Sequence, residues 1–156
     1  MKASRVAVLI ATWFGCGCAP VAPGTVGSAA AILIAALLVR GLGWRPWHLF
    51  VLAAATLPAA VWASTVAARA RNEKDPGTVV VDEVLGQWLT LAAAPELNWK
   101  SYLGGFLLFR LFDVWKPPPV RRLEALPGGL GIVADDVAAG LYAALVLSIA
   151  GCFNLY

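Results

Sequence analysis

Histidine is almost missing from this chain. His48 is the only one among 156 residues, which excludes catalysis built on a Ser–His or Cys–His pair unless that one imidazole serves. Cysteine is scarce too. Cys16, Cys18 and Cys152 are odd in number, and a Cys-x-Cys without nearby partners is a poor zinc site. Small buried thiols are the expected state. Charge is the third deficit: charged residues make up 13% of the chain, against about 25% in soluble domains. With a mean hydropathy of +0.76, so few charges argue for a membrane-embedded protein; the alternative is a compact soluble protein with unusually buried helices. The net charge of +3 is too small and scattered for a nucleic-acid footprint. It favours an anionic membrane face or an anionic substrate.

What is present is a series of apolar segments. Lys2 and Arg5 precede the apolar residues 6–14, which read as a retained N-terminal helix and not as a cleaved signal. Glycine and proline crowd residues 15–28 and predict irregular backbone there, with Gly27-Ser28 opening the first membrane helix. Residues 47–68 form a second, long enough to cross a hydrocarbon core of about 30 Å. Residues 84–94 and 101–115 are each short of the usual ~20-residue span, so they either thin the bilayer or pack as a hairpin inside the bundle. A last segment runs from Val137 towards Tyr156. The expected fold is all-α: a polytopic membrane helical bundle of about four membrane-embedded segments plus a short N-terminal helix, in one domain over residues 1–156.

Orientation follows from the basic residues. With the N-terminus cytoplasmic, nine Lys and Arg fall on the cytoplasmic side (2, 5, 69, 71, 74, 110, 116, 121 and 122) and three on the other (40, 45 and 100). That obeys the positive-inside rule. The same arrangement gathers four polar stretches at one face: residues 24–28, Asp82-Glu83, the run from Arg110 to Lys116, and Asp135-Asp136.

Arg110, Asp113 and Lys116 stand at successive i, i+3 steps, so a helix puts them near one face. Pro117, Pro118 and Pro119 then end that helix. Asp82-Glu83 and Asp135-Asp136 stand immediately before apolar segments, where carboxylates at helix starts could simply cap. Together with Asp113 they account for five of the nine acidic residues. Such crowding beside a low-dielectric slab calls for compensating cations. A hard divalent ion such as Mg²⁺ with oxygen ligands supplies it. Arg110 and Lys116 could neutralise the acids directly or clamp phosphate oxygens. Gly24, Thr25 and Ser28, in Pro-Gly-Thr-Val-Gly-Ser, could offer an anion-binding turn before a helix, or only a helix entry.

The motifs Pro-Gly-Thr-Val-Gly-Ser (23–28), Asp-Glu-Val-Leu-Gly-Gln (82–87), Phe-Arg-Leu-Phe-Asp-Val-Trp-Lys-Pro (109–117) and Gly-Gly-Leu-Gly-Ile-Val-Ala-Asp-Asp-Val-Ala-Ala-Gly (128–140) occur in that order. The set resembles the phosphatidylglycerophosphatase A family of bacterial inner-membrane lipid phosphatases. The resemblance implies Mg²⁺-dependent removal of the terminal phosphate of phosphatidylglycerophosphate, with Asp82, Glu83, Arg110, Asp113, Lys116, Asp135 and Asp136 as the motif positions. On this expectation Asp82, Asp113 and Asp136 are catalytic. The five carboxylates hold metal, and Arg110, Lys116, Gly24, Thr25 and Ser28 bind phosphate. The nucleophile is either a metal-activated water or a carboxylate forming an acyl phosphate. Residues 121–126 look unremarkable beside the family pattern. The competing class is a small transporter or ion-pathway protein whose intramembrane charges line a path.

Overall fold

A computed structural model describes residues 4–156, and every regular element among them is helical. Lys2, one of the nine cytoplasmic-side cations, lies outside the described residues. The elements are α1 (Arg5–Ala11), a 3₁₀ turn (Cys16–Cys18), α2 (Pro23–Leu42), α3 (His48–Arg71), α4 (Val81–Ala92), α5 (Trp99–Trp115), α6 (Val120–Leu123) and α7 (Gly129–Cys152). Three of these, α2, α3 and α7, are long and apolar enough to cross a membrane. At 1.5 Å per residue α4 reaches only about 18 Å, and α1 about 10 Å. The three long helices with the shorter α4 and α5 make the all-helical bundle expected, close to about four segments plus the short N-terminal α1. Of the two outcomes open to the short segments, α4 takes the internal one: every residue from Val84 to Leu91 is buried.

Two helices start earlier than their apolar runs suggest. α2 begins at Pro23, because a proline at the first helical position loses no hydrogen bond. The residues 23–28 that read as irregular are helical, and the irregular backbone ends at Ala22. Likewise α7 begins at Gly129, where the Gly129 N–H donates to Thr65 Oγ1 of α3 at 2.9 Å. Asp135 and Asp136 are therefore two turns inside α7 and cap nothing. At the other boundary α5 ends at Trp115, with Lys116 in the left-handed region (φ 49°) before the three prolines, as the triple proline predicts.

A close backbone contact joins α4 and α7 through two glycines. A Cβ placed on Gly140 would stand 2.5 Å from the Gly86 carbonyl oxygen and 2.8 Å from its Cα. One placed on Gly86 would stand 2.7 Å from the Asp136 carbonyl oxygen. The Thr90 hydroxyl lies 2.9 Å from the Gly86 carbonyl and 3.2 Å from that of Gly140, so it can donate to either. Only two residues without side chains admit this approach. Its consequence is positional: Asp82 and Asp136 each stand four residues before their glycine, one turn up helices that run in the same direction, so both carboxylates arrive at one level.

Gly140→Ala is expected to force the two backbones apart, at a cost of about 1–3 kcal/mol for overpacking, and to lower the detergent-phase Tm by several degrees. Gly104→Ala, whose Cβ meets only Leu147 Cδ1 at 3.8 Å, is expected to leave the Tm unchanged or raise it. Equal melting of both variants would contradict the tight α4–α7 seam.

Candidate active site

The first turn of α4 carries Asp82 and Glu83, and α7 brings Asp136 to them. Carboxylate oxygens of these three residues lie within 4.8 Å of one another. Asp82 and Asp136 are 6% and 4% exposed. Asp82 Oδ1, Glu83 Oε2 and Asp136 Oδ2 are buried with no hydrogen-bond partner. Unpaired carboxylate oxygens in a dry site are costly unless a cation joins them. Three hard oxygen donors at this spacing fit a divalent ion such as Mg²⁺ or Mn²⁺.

Arg110 approaches the group from α5. Its Nη1 lies 3.9 Å from Glu83 Oε1 and 2.6 Å from Asp113 Oδ2, an i,i+3 pair. Gly24 of α2 faces the same place: a Cβ there would collide with the Glu83 carboxylate and lie 3.2 Å from Arg110 Nη1. The absence of a side chain at position 24 is thus what leaves room for the Glu83–Arg110 contact.

Lys116 belongs to a second group. Its ammonium donates to Asp135 Oδ2 at 2.7 Å and to Glu124. Burial alone would lower the Lys116 pKa, but the hydrogen bonds to Asp135 and Glu124 outweigh it and hold the ammonium above its usual range. The same hydrogen bond pulls Glu124 below the ordinary carboxylate range, against a smaller effect of burial. A cavity of about 150 Å³ adjoins this group, lined among others by Lys74, Asp75, Glu124 and Asp135. Asp75 keeps an exposed side at its rim. Crowding by protein nonetheless raises its pKa, opposed by Lys116 and reinforced by Glu124 and Asp113.

Residues 9–151 match the family described as Phosphatidylglycerophosphatase A. The chain belongs to that family. It is 37% identical over 153 residues to the phosphatidylglycerophosphatase A of Escherichia coli K12, covering 97% of this chain and 87% of that protein. It is 39% identical over 140 residues to the Haemophilus influenzae Rd protein of the same name, covering 89% of this chain and 85% of that protein. A Bacteroides thetaiotaomicron relative, provisionally named a phosphatidylinositol-3-phosphatase, is 39% identical over 153 residues, with 96% of each chain covered. No solved structure matches the chain.

Seven charged positions were expected from the family motifs, and the fold divides them. Asp82, Glu83 and Asp136 form the trio, Arg110 and Asp113 pair beside it, and Lys116 and Asp135 pair with each other. Of the five acids expected around metal, three share one space, whereas Asp113 touches Arg110 and Asp135 touches Lys116. Ser28 is fully buried and its hydroxyl donates to the Gly24 carbonyl at 3.0 Å, within its own helix, and Thr25 is half-buried in the same first turns of α2. The lone His48 opens α3, with Nδ1 accepting from the Arg45 N–H at 2.9 Å, at the end opposite Thr65 and the start of α7. Imidazole chemistry at the trio is excluded.

Three residues escaped the sequence reading. Glu124 lies in the stretch that looked unremarkable, and its partner Lys116 is eight residues away across the prolines, a spacing with no helical meaning. Asp75 sits in a loop. Gln87, the last residue of the second motif, was legible in principle: it stands four residues after Glu83, on the same helix face. It is fully buried, and neither amide atom has a hydrogen-bond partner. Side chains on a helix lean towards its N-terminus, so the Gln87 amide leans towards the turn holding Glu83.

An unpartnered buried amide atom costs about 1–3 kcal/mol. Gln87→Met, similar in length and apolar, is therefore expected to raise the Tm while lowering turnover; a fall in Tm would show that the amide is paired in the folded protein. Lys116→Met is expected to destabilise more than Glu124→Gln, because Asp135 is 5% exposed at its side chain and Glu124 40%. Adding Asp135→Asn to Lys116→Met should recover part of the loss in the same melting assay.

Proposed function

We propose that this protein hydrolyses the terminal phosphate monoester of phosphatidylglycerophosphate, releasing phosphatidylglycerol and inorganic phosphate. The reaction would occur at the cytoplasmic face of a bacterial inner membrane, in a chain that crosses it several times. The observation that carries the reading is the Asp82–Glu83–Asp136 trio, three carboxylates with unpartnered buried oxygens in a member of this family. The names of the Escherichia coli and Haemophilus influenzae relatives support the substrate. The basic residues, mostly at the trio's end of the bundle, support the orientation.

In this reading Asp82, Glu83 and Asp136 hold the cation. Bound there, a divalent ion supplies Lewis-acid polarisation of the phosphate oxygens and neutralises charge that develops on them. Asp113 aims the Arg110 guanidinium, whose five N–H groups exceed what one carboxylate uses, leaving donors for a phosphate oxygen. Lys116 has three donors and two carboxylate partners, so one N–H remains for substrate, and Asp135 and Glu124 keep it charged. Gly24 leaves room for the Glu83 carboxylate beside Arg110. Burial of Asp82 and Asp136 strengthens their attraction for a cation.

The provisional name of the Bacteroides relative favours phosphatidylinositol 3-phosphate as a second substrate to compare. Purified protein in mixed micelles is expected to release phosphate from phosphatidylglycerophosphate with Mg²⁺ and to stop with chelator. Asp82→Asn and Asp136→Asn should each cut turnover on the order of 100-fold or more, several kcal/mol of lost transition-state stabilisation. Normal turnover in both variants, or full activity in chelator, would sink this assignment.

A further inference from the structure

An apolar trough of about 190 Å³ lies between α3 and α7, over the buried α4. Its lining is wholly apolar and begins on residues that neighbour the carboxylates along their helices: Leu85 stands one turn after Asp82, and Val137 follows Asp136, with Leu57 of α3 in the same lining. It continues to Leu89, Leu141 and Phe50. Along α4 and α7 these positions ascend in number, and along α3 they descend from 57 to 50. Because α3 runs against α7, its Thr65 meeting Gly129, all three progressions lead away from the trio along the bundle axis. Over seven residues of α3 that is about 10 Å. The depression exists because Ala53 and Ala54 stand between the bulky Phe50 and Leu57, and because buried α4, too short to span, forms its floor. An apolar groove that starts at the level of the trio and runs parallel to the long helices has the direction of a lipid tail.

We propose that this trough seats one acyl chain of the lipid whose phosphate is removed at the trio, an inference that rests on the function proposed above. The names of the relatives, that of the Bacteroides protein provisional, point to lipids with different headgroups, glycerol phosphate and inositol phosphate. Lipids of both kinds share a phosphate monoester at one end and apolar tails at the other, so a tail site beside the trio suits either headgroup. Holding the chain there would fix the depth at which the phosphate stands and convert tail burial into positioning of the reacting group.

The test fills the trough from its exposed wall. Ala54 is exposed, so Ala54→Trp can fold while occupying the channel; Leu33→Trp, on the exposed face of α2, is the control. Wild-type protein and both variants are assayed with dipalmitoyl and with dihexanoyl phosphatidylglycerophosphate. The expected result is a fall in kcat/KM of about tenfold or more for the long-chain lipid with Ala54→Trp, little change for the short-chain lipid, and none with Leu33→Trp. Photolabelling by a lipid phosphate bearing a mid-chain diazirine should mark residues 50–57 in wild type and lose that mark in Ala54→Trp. If Ala54→Trp slows both lipids equally, or neither, while wild type turns over both, the tail site is overturned and the phosphatase reading stands. If wild type releases no phosphate from either lipid, both fall.

Discussion

The whole site depends on the contact between the Gly86 and Gly140 backbones. Two helices that touch main chain to main chain have almost no freedom to slide or rotate, because any shift meets atoms and not flexible side chains. Asp82 and Asp136 inherit that rigidity, each one turn from its glycine. Carboxylates repel one another and prefer water, so packing must force them together. Burying all of α4 from Val84 to Leu91 supplies that force, and the long helices α2, α3 and α7 supply the walls. The acids are held close by apolar packing below them, and a cation between them would reinforce a geometry the fold already imposes.

Charge is then distributed by reach. The stiff first turn of α4 and the second turn of α7 bring three acids to one point, but α5 arrives from the side. Its Arg110 reaches Glu83 and Asp113, whereas Lys116, past the helix end and in the left-handed region, is turned towards Asp135 and Glu124. One cation thus borders the trio and the other borders a neighbouring cavity. A helical face drawn from i, i+3 spacing would put both cations together; the reversal of the chain at Lys116 separates them.

Much of this was legible in the residues. The charge deficit and the apolar runs indicated a helical membrane-type bundle, the triple proline marked the end of α5, and the ordered motifs indicated the family. The i, i+3 step put Arg110 and Asp113 near one helix face, where they pair. Other features were hidden for definite reasons. Helix starts at Pro23 and Gly129 were missed because glycine-rich sequence reads as loop until a neighbouring backbone explains the glycines. Glu124 was missed because its partner lies across a turn, where no periodicity connects them. Gln87 stood in plain view, but nothing in a sequence says whether an amide has found a partner.

By itself the sequence determined what kinds of groups were available: oxygen acids and two cations near segment ends, almost no imidazole, and helices too apolar for water. Those are consequences of composition and of local spacing along one helix. Only the tertiary structure decided which acids share a space, which cation serves which group, and that an apolar trough opens beside the trio. Those depend on contacts between different elements, Asp82 with Asp136 and Lys116 with Asp135, set by how closely α4 and α7 approach and by the turn at Lys116, and spacing along one helix carries no information about them.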